Sequence, residues 1–461
     1  MSLKKVNHLA GNSQVIDKEK VLKKPKQSWW LSGLKYLNLD YRVKAGALQL
    51  TMFIVVVIAM LLAAFIMLLH THKTFKVQTG FVIETISNVD KGINYALQNK
   101  LQLNDTTLVN LQDEDFKTLK VHRSFWGVFE KVIAVSNIKH KTFKKIALVG
   151  ASQLDINRTA LYLEEQNRPL VVVGNTKIQG DVYLPKQGVR TGNISGHSYY
   201  GNQLIYGNIK TSQSIPKLQQ ETLNQIKKSN KTYRNINTDQ FLDLSIKRTY
   251  QNSFYKPIQI IYNTETINLS EISLTGHILV QSETKIIVDA TSNLKDVVLI
   301  APTIQIKNNV EGTFQAFATK EIKVGNHCKL NYPSALVLNE KIQMTNSNTS
   351  NNLKDIPSIK IAKGSKIKGV VAYFGSTKGY KAQILIEEKA TVIGEVYCDR
   401  NLELLGSVYG SVLTSGFVAN QSGSVYQNHI YNGTIMVSNL AEEYVGLPFK
   451  NSKKDVAKWL Y

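Results

Sequence analysis

Cysteine is nearly absent. Cys328 and Cys398 are the whole supply in 461 residues, which excludes a disulfide scaffold and a cysteine-based metal site. They are expected either to form a single disulfide in an oxidising compartment or to stay as two buried thiols acting as small apolar residues. Nine prolines and 28 glycines are too few for a collagen-like or low-complexity chain. Acid is the scarcer charge, with 34 Asp and Glu against 56 Lys and Arg and a net charge of +22. Such a balance points to an anionic partner, whether nucleic acid, membrane surface or acidic polymer.

The residues of catalysis are also thin. Nine histidines, His8, His70, His72, His122, His140, His197, His277, His327 and His429, show no metalloprotease spacing and no metal constellation. Ser152 and Ser195 lie outside a nucleophile elbow, and no phosphate loop is present. Asp181, Glu283, Asp289, Glu395 and Asp399 are scattered, whereas polysaccharide cleavage needs clustered carboxylates. Asp181 and Glu395 each follow a glycine and are expected on solvated corners. No catalytic, cofactor-binding or metal-binding residue is assigned, and the chain is not expected to be an enzyme.

One long hydrophobic run is present. Residues 45–69, "AGALQLTMFIVVVIAMLLAAFIMLL", carry no charge, and about 20 apolar residues span a bilayer core. Ten of the basic residues and three of the acidic ones precede this run, while only Lys73 and Lys76 follow within ten residues. The positive-inside rule then places the N-terminus in the cytoplasm of a single-pass inner-membrane protein, with everything after residue 69 outside. That orientation removes specific nucleic acid as a partner. The basic tail, with Trp29 and Trp30, suits an anionic inner leaflet or serves only as a topology signal. Beyond the membrane the chain still holds 46 Lys and Arg against 31 Asp and Glu, a charge suited to anionic polysaccharide. Tyr183, Tyr199, Tyr200 and Tyr206 are candidates to stack on sugars.

After the run, Val82, Ile83, Ile86, Val89, Ile93, Ala96 and Leu97 recur at spacings of three and four, which predicts an amphipathic helix continuing the membrane helix. "RSFWGVFEKVIAVS" and "TFKKIALVGAS", joined by "NIKHK", predict a β-meander. A membrane helix followed by a meander resembles the layout of pilins and pseudopilins, and "KAGALQLTMFIVVV" resembles their membrane signal. Such proteins usually carry glutamate five residues after the processed glycine, where this chain has Thr51. The resemblance implies processing near Gly46 and a minor-pilin-like role.

The remainder repeats itself. Gly394-Glu-Val396, Gly406-Ser-Val408, Gly410-Ser-Val412 and Gly423-Ser-Val425 share one pattern, and apolar residues precede the glycines in turn: Ile359-Lys-Ile361 before Gly369, Ile384-Leu-Ile386 before Gly394, Leu402-Glu-Leu404 before Gly410 and Phe417-Val418 before Gly423. Short alternating strands with glycine corners at intervals of 15–25 residues predict a β-solenoid. Glycine tolerates the positive φ of a corner, and alternate residues stack inward. Residues 359–435 resemble bactofilins, polymer-forming right-handed β-helices, which implies that fold and self-association.

The expected fold class is therefore mainly β: a transmembrane helix, a helix and meander, then a right-handed β-helix with a helical insertion. The expected order is a cytoplasmic tail 1–44, membrane helix 45–69, extramembrane helix 70–105, meander 106–165, first solenoid part 166–216, inserted helix and loop 217–255, main solenoid 256–440, and a tail or cap 441–461. Within the tail, "SKKDVAKWLY" is expected to form a short helix over the last coil. The expected function is a membrane-anchored structural or assembly scaffold of the cell envelope. Its alternatives are a minor-pilin-like subunit and a polysaccharide-binding or carbohydrate-active protein.

Overall fold

The structure, a computed structural model, describes residues 45–111, 116–152, 158–228, 238–340, 358–376 and 379–461. The basic tail 1–44 and the expected loop 344–357 lie outside the described residues. The described residues fall into two units, one up to residue 76 and one from 77 to 461. In the first, side chains from Gly46 onward are exposed along a helix that is long and apolar enough to cross a membrane. The second is mainly β.

The two expected helices are one, α1 (Ala45–Gln98), which runs through Gly80 and Gly92. In the second unit its packed stripe is Val89, Ile93 and Ala96, all at most 2% exposed. Val82 and Ile83, expected on the same stripe, stay exposed. Gly92 lies against the face of the sheet: a Cβ there would lie 3.0–3.2 Å from Leu119, Ala134 and Val121. Its missing side chain is what lets the helix lie close to the strands, which offsets its low helix propensity.

The sheet beneath is an antiparallel meander of β1 (Asp105–Val109), β2 (Lys117–Trp126), β3 (Phe129–Ile138) and β4 (Lys141–Ser152). The "NIKHK" turn forms as expected, with Lys139 at φ 52°. The first predicted run breaks in two at Gly127 (φ 67°), where Trp126 pairs with Phe129. The C-terminal segment departs from expectation: Lys453–Leu460 is a strand paired antiparallel to β4, not a helix on the last coil. An isolated helix of that length is marginal in water, whereas the open edge of β4 offers a row of unpaired backbone groups.

From Thr159 to Met436 the strands pair in parallel, in successive rungs, apart from two antiparallel hairpins at 193–198 and 418–427. One row runs Ile267, Ile286, Ile304, Ile322, Ile359, Ile384, Leu402, Phe417. A second runs Ile261, Val280, Leu299, Ala316, Leu336, Val371, Val396, Val412. A third passes Leu274, Leu294, Gly312, Leu330, Ile367, Val392, Val408, Ile435. Their inward residues form one continuous apolar core. The second row is buried on both faces, because its outward residues Ile260, Leu279, Val298, Phe317 and Val337 pack on the meander through Trp126, Phe129, Ile146 and Leu148. Doubly buried strands read as unbroken hydrophobic runs, and "DVVLI" and "SALVL" are such runs.

The rungs do not follow chain order. Val412 pairs with Leu161, which pairs with Val182, which pairs with Ile209, so the first rungs in sequence lie beyond the last. The segment 212–248, with the helix Gln220–Lys228, therefore joins the two extremes of the ladder, from Ile209–Thr211 at one end to Thr249–Asn252 at the other.

Candidate functional site

Arg123 on β2 is 1% exposed and is held on every side. Its guanidinium donates to both carboxylate oxygens of Glu130 at 2.9 and 2.6 Å, to Glu221 Oε2 at 2.6 Å and to the Leu101 carbonyl at 2.8 Å. Lys454 Nζ donates to Glu130 at 2.8 Å. Burial opposes the Glu130 charge, but Arg123 and Lys454 outweigh it and hold the carboxyl below its usual range. A buried ion pair is tolerated when its geometry is bidentate and its remaining groups are bonded. This one ties the turn after α1, the meander, the connecting helix and the C-terminal strand together.

Above this network lies a groove of about 1110 Å³ formed by residues 94–100, 217–223 and 450–455. Lys100, Lys217, Lys450, Lys453 and Lys454 line it, against Glu221 and Asp455. Lys100 stands 4.0 Å from Glu221. Lys217, Lys450 and Lys453 have no ion-pair partner among the described residues. Exposed lysines around a concave surface concentrate positive potential. The arrangement has the charge to attract anions, and among the described residues that line it no nucleophile stands beside a base.

The carboxylates singled out in the sequence are engaged separately. Asp289 accepts from Lys307 Nζ at 2.8 Å and from Thr291, which hold it down at about 2. Asp181 accepts from Asn208 and Lys210, and Glu283 from the Tyr262 hydroxyl at 2.5 Å. Burial pushes Asp399 up. Glu395, expected on a solvated corner, is 6% exposed. The segment 441–447 lies over it: Leu447 N–H donates to Glu395 Oε2 at 2.7 Å, and burial pushes its carboxyl up to about 7. Nothing in the sequence marks that cover, because Leu447, which bonds Glu395, follows it by 52 positions.

Both cysteines are free and buried. Tyr183 stacks on Tyr162 with ring centroids 5.2 Å apart, Tyr199 donates to the Gln203 carbonyl, and Tyr200 and Tyr206 are exposed. Among the described residues no group of three His, Cys, Asp or Glu is placed to hold a metal ion. The lysine groove was not signalled as a site, because its three segments are spread over more than 350 residues. The chain matches no protein-family model, no curated protein and no solved structure.

Proposed function

We propose that this protein is a membrane-anchored, extracytoplasmic β-solenoid that serves as a structural or assembly scaffold of the cell envelope. The observation that carries the reading is the parallel ladder itself: eight successive rungs place Ile, Leu or Phe at one inward position, from Ile267 to Phe417. Such a stack gains stability rung by rung and presents long, regular outer faces. The bactofilin resemblance of residues 359–435 agrees with a right-handed β-helix, and the lysine groove suits an anionic envelope polysaccharide as partner.

A second reading, a minor-pilin-like subunit, is favoured by α1. Its apolar run passes without a break into a half that packs on an antiparallel meander, as the pilin layout requires. Mass spectrometry of the N-terminal peptide from protein extracted with native membranes separates the two. The scaffold reading expects the mature chain to keep residues 1–44 ahead of the apolar run. A mature chain beginning just after Gly46 overturns it in favour of the pilin-like subunit.

A further inference from the structure

Between the meander and the ladder lies an enclosed lysine with no counter-ion among the described residues. Lys131 on β3 is 8% exposed. Its ammonium donates to His277 Nε2 at 3.0 Å. His277 Nδ1 lies 2.9 Å from the Lys256 carbonyl, so Nδ1 carries the proton and Nε2 is the acceptor. The imidazole is neutral: burial first and Lys131 second push it down to about 4. Burial alone pushes Lys131 down to about 8, so it is still largely charged at neutral pH. Among the described residues no carboxylate pairs with it. A buried charge with no opposite charge is among the costliest arrangements in a folded chain.

Beside it is a cavity of about 210 Å³. Trp126, Ile258, Leu279, Val298 and Phe317 form its apolar walls, and Ser124, Phe125 and Gln225 also line it. The His277 ring is set between Trp126, with centroids 4.8 Å apart, and Phe254 at 5.0 Å. An apolar cavity of about 150 Å³ takes up benzene, so this one has room for a ring and a small charged group. Binding sites of this kind combine apolar walls with a few fixed polar groups.

We propose that this cavity binds a small aromatic monocarboxylate, whose carboxylate pairs with the Lys131 ammonium while its ring lies against Trp126 and Phe317. The ligand supplies the missing counter-charge, and the apolar walls supply the hydrophobic part of the affinity. A neutral amide of the same shape leaves the ammonium uncompensated and binds more weakly. The site is independent of the scaffold reading and of the lysine groove.

Isothermal titration calorimetry of the full chain in detergent micelles, with benzoate, benzamide and benzylammonium as probes, tests this. Benzoate is expected to bind one to one, and benzamide and benzylammonium at least about tenfold more weakly. Lys131→Met is expected to lose benzoate affinity by at least about tenfold and to melt higher than the parent without ligand, since an unpaired buried charge has been removed. Lys131→Gln, which still donates to His277, is the second variant and is expected to lose benzoate in the same way. Equal benzoate affinity in the parent and either variant overturns the proposal. So does the absence of saturable binding up to about 20 mM, or a lower melting temperature for Lys131→Met, which would make Lys131 only a structural donor to His277.

Discussion

Glu395 concentrates the residue-scale chemistry of the fold. It follows Gly394, whose φ is 142° and where a Cβ would stand 2.0 Å from the Gly369 carbonyl oxygen. Gly410 repeats that geometry one rung on, at φ 149°. This corner was legible in the sequence as Gly-x-Val, because only glycine fits a left-handed φ against backbone. The fate of the residue after the glycine was not legible, since it depends on the segment folded over it. Arg158 holds that segment through the carbonyls of Ala441 and Glu442, both at 2.7 Å, and Tyr332 donates to the Val445 carbonyl at 2.9 Å. The folded state holds the Glu395 proton more tightly than the unfolded chain, with about 7 against 4.5. Stability from this group is therefore full below about pH 4.5, falls as pH rises, and levels off above about 7. Glu395→Gln keeps an acceptor for Leu447 N–H and does not titrate. It is expected to melt with the parent near pH 4.5 and to be more stable by about 3 kcal/mol near pH 8. Parallel melting profiles for the two proteins across that range would contradict the assignment.

At the scale of elements, α1, the meander and the three ladder rows follow from their hydrophobic periods. The helical stripe at Val89, Ile93 and Ala96 and the alternation in Ile359-Lys-Ile361 are both visible in the sequence. The C-terminal strand was hidden for a specific reason. Its register shifts between Val456 and Lys458, and that bulge sends Val456 to the α1 side of the sheet and Leu460 to the ladder side. Without the bulge the two would share a face, so their spacing of four reads as a helix turn. The strand covers the edge of β4 and adds ion pairs from Lys454 to Glu130 at 2.8 Å and from Lys458 to Asp296 at 2.6 Å. Deleting residues 453–461 uncovers that edge and the apolar residues beneath it. The truncated protein is expected to self-associate through the β4 edge, seen as a rise in mass by light scattering, and to melt lower than the parent. A monodisperse truncation with an unchanged melting temperature would show that the strand is dispensable.

For the whole molecule, the order of the rungs matters most. Each rung of a repeat pairs with its neighbours through similar inward apolar residues, so the sequence announces the repeat without saying which rung lies beside which. The chain builds the rungs at 159–211 at one end, resumes with Thr249–Asn252 at the other, and returns to meet the first rungs at 407–436. A stack laid down in sequence order would instead set Thr211 beside Thr249 and leave Lys177 far from Thr434. In the structure Lys177 and Thr434 are partners across the parallel junction, outward-facing, with Lys177 N–H donating to the Gly433 carbonyl at 3.0 Å. Cysteines at these two positions, Lys177→Cys with Thr434→Cys, test the proposed stack most directly. Mild oxidation is expected to link them within one chain, giving a faster-migrating, reducible band, while the pair Thr211→Cys with Thr249→Cys stays unlinked. Linkage of Thr211→Cys to Thr249→Cys and none between positions 177 and 434 would contradict the permuted stack.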